Sequence, residues 1–272
     1  MLLAVGLVAT GSVLAAAVPP VRFAWLLLAF FAWQFWHFHR QNVGLVALAA
    51  LSSGVGPLAR AERRALGMVS CAGIAALATH PQLLQLSVDP RIGWLWPLTF
   101  AAFVIGAAIG VVALGLRRPG RRPVGFCALY VTSVLFWLPV WVFASPYAAV
   151  GGLTVAHGLQ YLLLAGLVAT GDRRGVDRLA GVMSMLAVAL VVGAALSVGS
   201  HLHAAGASTR WLYGVYLGVV MTHFVVDGAI WRLRDPATRN FLSARVPFLV
   251  PPTRTGARGL EGSATDGSGA DL

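Results

Sequence analysis

The chain has 272 residues, of which 58% are hydrophobic and only 11% are charged, and its mean hydropathy is +0.79. A soluble domain carries about 25% charged residues, so this composition excludes an ordinary soluble enzyme. The net charge of +11 comes entirely from arginine, because the chain contains no lysine. The arginines cluster in short segments between long apolar runs, which favours membrane topology over a nucleic-acid-binding surface.

The apolar runs approach the roughly 20 residues that a helix needs to cross a bilayer. None of them shows the short alternating pattern of a transmembrane barrel strand. We therefore predict an all-α integral membrane protein with about eight transmembrane helices in one bundle. The predicted spans cover approximately residues 2–18, 22–60, 65–79, 94–116, 124–142, 147–170, 179–198 and 211–231.

The second apolar segment, from Arg22 to Arg60, is too long for one straight crossing at about 1.5 Å per residue. Its sequence FAWLLLAFFAWQFWHFHRQNVGLVALAALSSG contains polar residues near its middle. The length favours a second helix that is either overlong or broken near Arg40–Gly44, and a hairpin with two short crossings is the alternative.

Charge placement predicts the topology. With eight spans, the basic segments at residues 60–64, 117–122, 172–178 and 232–239 all fall on one side, which places both termini in the cytoplasm. The Arg, Ala, Gly and Val usage favours a bacterial protein of the cytoplasmic membrane. Residues 1–250 form one polytopic transmembrane domain, and residues 251–272 are predicted to be a disordered cytoplasmic tail. Glu62 and Glu261, the two glutamates, fall in a predicted loop and in this tail.

Four polar residues lie deep inside apolar segments: His37, His157, His223 and Asp227. Asp227 follows His223 by four residues, so the two share a helix face. A carboxylate in the bilayer is costly unless it faces the bundle interior and has a partner. Counted along the helices, the histidines lie about 22, 15 and 20 Å from one membrane surface, in the order given. These depths predict that the three segments meet around a buried metal site.

The residue types suit metal chemistry. Imidazoles bind iron, zinc or copper, and two histidines with one carboxylate and open positions hold Fe(II) in non-haem oxygenases. Three histidines with a water would instead form a catalytic zinc site. Asp227 is predicted as a ligand or as a catalytic proton acceptor. Arg40 is predicted to balance charge or to bind an anionic substrate group, with a structural salt bridge to Asp227 as its alternative.

Five further polar residues are predicted to support the ligands or contact the substrate: His39, Gln41, Asn42, Gln160 and Tyr161. Gln160 follows His157 by three residues and shares its helix face. His39 is only two residues from His37, so on a straight helix it points elsewhere, and it reaches the site only if the helix breaks near Arg40.

Two short stretches resemble families of multi-spanning enzymes. His39-Arg40 followed by Gly44 resembles a segment of the haem A synthases, although the fourth span here has no histidine, unlike in that family. Trp36-His37 with Arg40 resembles a motif of the intramembrane carotene dioxygenases, which hold iron with histidines. These likenesses imply haem or iron as cofactor. Each covers only a few residues, so we assign no family.

A third likeness concerns the last span. Ceramidase-type membrane zinc hydrolases carry an H-x-x-x-H pair there, and His223 with Asp227 is similar to it, with aspartate in place of the second histidine. Zinc is therefore a further cofactor alternative.

Our leading hypothesis is a membrane-embedded metalloenzyme, a non-haem iron oxygenase or related oxidoreductase acting on a lipophilic substrate that enters from the bilayer. A redox partner is compatible with this chemistry, and nucleic acid is not an expected partner. The alternatives are a proton-coupled transporter that uses Asp227 and His223 as its relay, a membrane zinc hydrolase, and a structural subunit in which the histidines only join helices.

Overall fold

The computed structural model describes residues 2–171, 175–201, 209–230 and 235–250, and within these ranges the regular structure is helical throughout. The predicted tail beyond residue 250 lies outside the described residues, as do parts of the last two basic segments. The helices are α1 (Leu2–Ala17), α2 (Pro20–Ser52), α3 (Arg60–Thr79), α4 (Trp96–Gly115), α5 (Val124–Val134), α6 (Pro139–Val142), α7 (Gly152–Thr170), α8 (Gly175–His201), α9 (Arg210–Ile230) and α10 (Pro236–Arg245).

Three helical segments in the described part of the chain are long and apolar enough to cross a membrane: Gly93–Gly115, Tyr147–Thr170 and Leu179–Gly199. Two shorter apolar helices, Leu2–Ala17 and Val124–Trp137, accompany them. Many of their large apolar side chains are exposed, for example Leu163 on α7 and Leu190 on α8. An exposed apolar surface of this kind is what a bilayer would cover.

The second apolar segment forms one continuous helix. α2 runs for 33 residues without interruption, which corresponds to about 50 Å. The prediction of an overlong second helix is therefore confirmed. The two other predictions for this segment, a break near Arg40–Gly44 and a hairpin, are wrong. Because the helix is unbroken, the angular relations between its side chains hold along its whole length.

The predicted loop around Glu62 is wrong. α3 already begins at Arg60, and Glu62 lies in its first turn with no exposed surface. Its carboxylate accepts a hydrogen bond from the Ala59 backbone N–H at 2.7 Å and pairs with the Arg117 guanidinium, whose Nη2 lies 2.7 Å from Oε2. Arg117 also donates to the Val55 carbonyl at 3.1 Å. The hydrogen bond with Glu62 raises the pKa of Arg117.

Two helix pairs approach through glycine. In α1 and α9, a Cβ at Gly11 would lie 2.5 Å from the Gly214 carbonyl oxygen, and one at Gly218 would lie 2.4 Å from the Val8 Cα. In α3 and α4, a Cβ at Gly106 would lie 3.0 Å from a Val69 side-chain carbon. Small residues at helix interfaces let backbones approach closely within membranes. The contact with α1 therefore fixes the position of α9.

The predicted fifth span is interrupted at its end. α5 passes into a 3-10 turn at Leu135–Trp137 and then into the short α6, which begins at Pro139. Trp137 is fully buried within the main hydrophobic core, which α2, α3 and α5 share. This core also includes Phe103 of α4 and Leu153 of α7, so it packs α2 against several helices at once.

Candidate metal centre

Three histidines from three helices converge at one point. His37 lies on α2, His157 on α7 and His223 on α9, and one nitrogen from each of the three rings lies within 4.8 Å of the other two. The ring centres of His37 and His157 are 5.2 Å apart, and those of His37 and His223 are 5.7 Å apart. His157 is buried near the middle of the Tyr147–Thr170 segment. The predicted meeting of these three segments is present in the structure.

Asp227 completes the group. Its carboxylate Oδ2 lies 3.5 Å from His37 Nε2 and 3.4 Å from His223 Nε2, and its side chain is 5% exposed. The carboxylate thus sits between two imidazoles that come from different helices. The Tyr161 hydroxyl hydrogen-bonds with the same carboxylate. Tyr161, predicted as a supporting residue, therefore contacts the site through Asp227.

Aromatic packing orients the histidine rings. Phe38 stacks on His157 with ring centres 3.8 Å apart and an angle of 18° between the planes. Phe224 stacks on His37 at 4.6 Å. The Tyr161 ring meets the edge of His223 at 5.2 Å. These contacts restrict ring rotation, and rigid ligands bind a metal at a lower entropic cost.

The amide of Gln41 joins α2 to α7 beside the site. Its Nε2 donates to the backbone carbonyl of His157 at 3.2 Å and to Gln160 Oε1 at 3.4 Å. The hydrogen bond to the His157 carbonyl connects α2 directly to α7. Gln41 therefore contacts the backbone of His157 directly, and Gln160 contacts Gln41.

Three buried polar atoms of the group lack a hydrogen-bond partner: His37 Nε2, His157 Nδ1 and Asp227 Oδ1. Such atoms are rare, because each costs about 1–3 kcal/mol when buried unpaired. A bound cation would satisfy nitrogen and carboxylate lone pairs together. Metal–nitrogen bonds of about 2.0–2.1 Å place tetrahedral ligands about 3.3 Å apart, so the rings would close by about 1.5 Å around an ion.

Among the described residues, three other predicted residues form no hydrogen bond or ion pair with this group. Arg40 is exposed, and within the described residues the partners of Asp227 are His37, His223 and Tyr161 rather than this guanidinium. His39 faces α3, where its Nδ1 lies 2.9 Å from the Ser70 hydroxyl. Asn42 is 3% exposed, and its amide has no hydrogen-bond partner.

Sequence reasoning missed several residues that shape the site. Phe38 and Phe224 each adjoin a histidine in the chain, but an aromatic residue beside a histidine is common in apolar helices and gave no signal. The Trp137 indole donates to Ser70 Oγ at 3.0 Å, which makes Ser70 a shared partner of two buried side chains. This second polar group connects α2 to α3 and to the turn after α5, on a side of α2 different from that of His37.

No protein-family model, no curated protein and no solved structure matches this chain.

Proposed function

We propose that the protein is a membrane-embedded metalloenzyme with a non-haem iron centre, acting as an oxygenase or related oxidoreductase on a lipophilic substrate. His37, His157 and His223 are the proposed ligands. Asp227 is a fourth ligand, or it accepts a proton next to the ion. The observation that supports this proposal is the convergence of three imidazoles from α2, α7 and α9 with a buried carboxylate between two of them.

The spacing favours a single ion over a haem. A haem held by two histidines needs a flat slot between their rings, wide enough for the macrocycle. His37 and His157 are only 5.2 Å apart, and Phe38 covers the His157 ring at 3.8 Å. Phe224 covers His37 in the same way. These faces are already filled by aromatic rings, whereas an ion needs only the space between the nitrogens.

Iron is the metal that we favour, because nitrogen ligands combined with a carboxylate match the ligand set of non-haem Fe(II) enzymes. When bound, Fe(II) would supply oxygen activation, and the protein would supply orientation and exclusion of water. Tyr161 would hold the Asp227 carboxylate in place, and Gln41 would hold the helix turn that carries His157. A zinc hydrolase would use the same ligands with a bound water.

We further infer eight membrane crossings, with both termini in the cytoplasm of a bacterial cell. The basic segments of the sequence support this topology through their placement on one side. In this arrangement α2 and α9 cross the membrane although they contain polar residues, and His37 and Asp227 among these are largely buried, at 11% and 5% side-chain exposure.

Metal analysis of the purified protein tests the proposal. The detergent-solubilised protein should contain close to one equivalent of iron, and His157→Ala should lose it. His80→Ala is the matched control, because His80 follows the end of α3 and packs against Trp96 at 3.9 Å, away from the centre. If the analysis found zinc instead of iron, it would support a hydrolase rather than an oxygenase. Absence of any metal after reconstitution with Fe(II) and Zn(II) would refute the metal centre.

A proton-coupled transporter is the second candidate, and the position of Asp227 between two imidazoles supports it. A carboxylate within about 3.5 Å of two histidines can pass a proton between them. In this case Asp227→Asn would abolish proton-coupled uptake in proteoliposomes while the purified protein contained no metal. His157 separates the two candidates, because the relay does not use it and the metal centre requires it.

A further inference from the structure

Two arginine-rich segments meet at one end of the α3–α4 helix pair. The first begins α3, and the second follows the end of α4. The Arg117 guanidinium joins them, because it pairs with Glu62 of α3 and donates to the Val55 carbonyl in the loop before α3 at 3.1 Å. The Arg121 Nη1 atom lies 3.9 Å from the position that a Cβ at Gly56 would take in the same loop. The two segments therefore lie side by side.

The surface that these segments form carries a strong positive charge. Five of its arginines are exposed, and we call them the basic rim: Arg60, Arg63, Arg64, Arg118 and Arg121. Glu62 is the one acidic residue of the sequence within residues 53–64 and 116–124, and it is fully buried in its pair with Arg117. The two segments therefore present guanidinium groups at their surface and no carboxylate.

A tight turn brings two arginines of the rim together just after α4. The Arg121 backbone N–H donates to the Arg118 carbonyl at 2.8 Å, and a turn of this kind holds the two Cα atoms within about 7 Å of each other. Two arginines at this spacing can both reach one phosphate, which guanidinium groups bind through charge-assisted hydrogen bonds. The buried pair with Glu62 uses Arg117 instead, so it does not depend on either of these arginines.

An exposed apolar face of α4 leads up to the rim. Its residues follow one another at spacings of four, three and four, so they share one side of the helix: Ile105, Ile109, Val112 and Leu116. Leu116, two residues before Arg118, is 81% exposed. From residue 105 to residue 116 the helix rises about 16 Å, which is close to half of the roughly 30 Å hydrocarbon core of a bilayer. The face therefore matches the depth of one leaflet, and the arginines follow where its headgroups begin.

We propose that the basic rim and this face of α4 bind an anionic phospholipid of the surrounding bilayer. Its phosphate lies at Arg118 and Arg121, the three arginines of α3 add positive charge around it, and its acyl chains lie along residues 105–116 of α4. A zwitterionic lipid offers the same chains, but its choline group cancels the charge that attracts the guanidinium groups. Each arginine near a membrane surface strengthens the attraction of an anionic lipid by about fivefold. The binding uses neither the histidines nor a metal, so it is independent of the proposed metal centre.

Competition binding to the detergent-solubilised protein tests the proposal. Tritiated phosphatidylglycerol should bind saturably, and unlabelled phosphatidylglycerol should displace it about tenfold more effectively than phosphatidylcholine with the same acyl chains. Raising NaCl from 0.1 M to 1 M shortens the screening length from about 10 Å to about 3 Å and should remove most of this preference. Equal displacement by the two lipids would overturn the proposal. Displacement by sn-glycerol 3-phosphate, which has the phosphate without the chains, would also overturn it, because the site would then bind a soluble anion.

A double variant tests the position of the phosphate. Arg118→Gln with Arg121→Gln should lower the affinity for phosphatidylglycerol about fivefold and leave the affinity for phosphatidylcholine unchanged. Arg22→Gln with Arg91→Gln is the matched control, because these exposed arginines lie in the first turn of α2 and before α4, at the opposite ends of those helices from the rim. The control should keep the full preference. An equal loss in both double variants would show an effect of net charge alone and would refute the assignment to the rim.

A second pair of variants tests the position of the acyl chains. Val112→Asn places an amide on the proposed lipid face of α4 and should weaken phosphatidylglycerol binding severalfold, because the apolar contact with the chain is lost. Val104→Asn is the control, since Val104 is also exposed on α4 but lies outside the row of residues that forms this face. Circular dichroism should show the same helix content in both variants. Equal affinities in the two variants would contradict the binding of the chains along this face.

Discussion

The contact between α1 and α9 allows a test of what holds the three histidines of the proposed metal centre together. An ideal Cβ at Gly218 would lie 2.4 Å from the Val8 Cα. Carbon atoms in contact prefer about 3.5–4.0 Å, so Gly218→Ala must separate the two backbones by about 1 Å or more. Overpacking of this kind costs about 1–3 kcal/mol. Alanine favours the helix over glycine by about 1 kcal/mol, which opposes part of this cost.

A matched substitution separates the cost of overpacking from the helix preference of alanine. Gly6 lies on α1, and a Cβ there would meet nothing within 4 Å. Gly6→Ala should therefore gain only the helix preference and raise the unfolding temperature slightly. Gly218→Ala should lower it, and the difference between the two variants should correspond to about 1–3 kcal/mol, or about 2–4 °C for each kcal/mol in a chain of this size.

The same substitution should also affect metal binding. His223 lies five residues beyond Gly218 on α9, so a shift of this helix moves the His223 ligand relative to His37 and His157. Circular dichroism during heating gives the unfolding temperature, and metal analysis of the same preparation gives the occupancy. Equal unfolding temperatures and equal metal content in Gly218→Ala and Gly6→Ala would refute the idea that close α1–α9 packing positions the centre.

Two further predictions concern buried polar groups away from the centre. Glu62→Gln leaves the Arg117 guanidinium without its counter-charge and should reduce the free energy of unfolding by about 3–5 kcal/mol, whereas the exposed control Asp89→Asn should change it by less than about 0.5 kcal/mol. A denaturant titration compares them, and equal stability would contradict a structural role of the pair. Ser70→Ala should destabilise the fold by about 1–3 kcal/mol, because His39 loses its partner, without changing metal content. Loss of metal in Ser70→Ala would place His39 in the metal centre after all.

The convergence of the three histidines could be predicted because the rise per residue of a helix is fixed. Counting from the ends of apolar segments gave similar depths for His37, His157 and His223, and the structure brings them together. Asp227 followed from its four-residue spacing to His223, which holds in any α-helix. These inferences used only the geometry within one helix and the cost of polar groups in a bilayer.

The partners of His39 and the surroundings of Arg40 and Asn42 could not be predicted in the same way. The sequence gives the angle between two residues of one helix, but not which side of α2 faces which neighbour. That rotation is set by the core that α2 shares with α3 and α5, in which Phe38 and Val46 are buried. The partner of Glu62 could not be predicted either, because Arg117 is 55 residues away in the sequence and charged segments ordinarily lie in loops.

The energetics of the centre connect its geometry to its proposed occupant. The buried carboxylate of Asp227 has lost its hydration and gains only weak contacts with two imidazoles at 3.4 and 3.5 Å. With the unpaired atoms of His37 and His157, the group combines several costs of about 1–3 kcal/mol each, which a fold of ordinary stability of about 5–15 kcal/mol cannot readily carry. A cation offsets all of them at once, because it interacts with every lone pair that the group presents. A relayed proton satisfies one nitrogen at a time, whereas an ion among the three histidine nitrogens would satisfy them together, and this difference supports the proposed metal over the proposed relay.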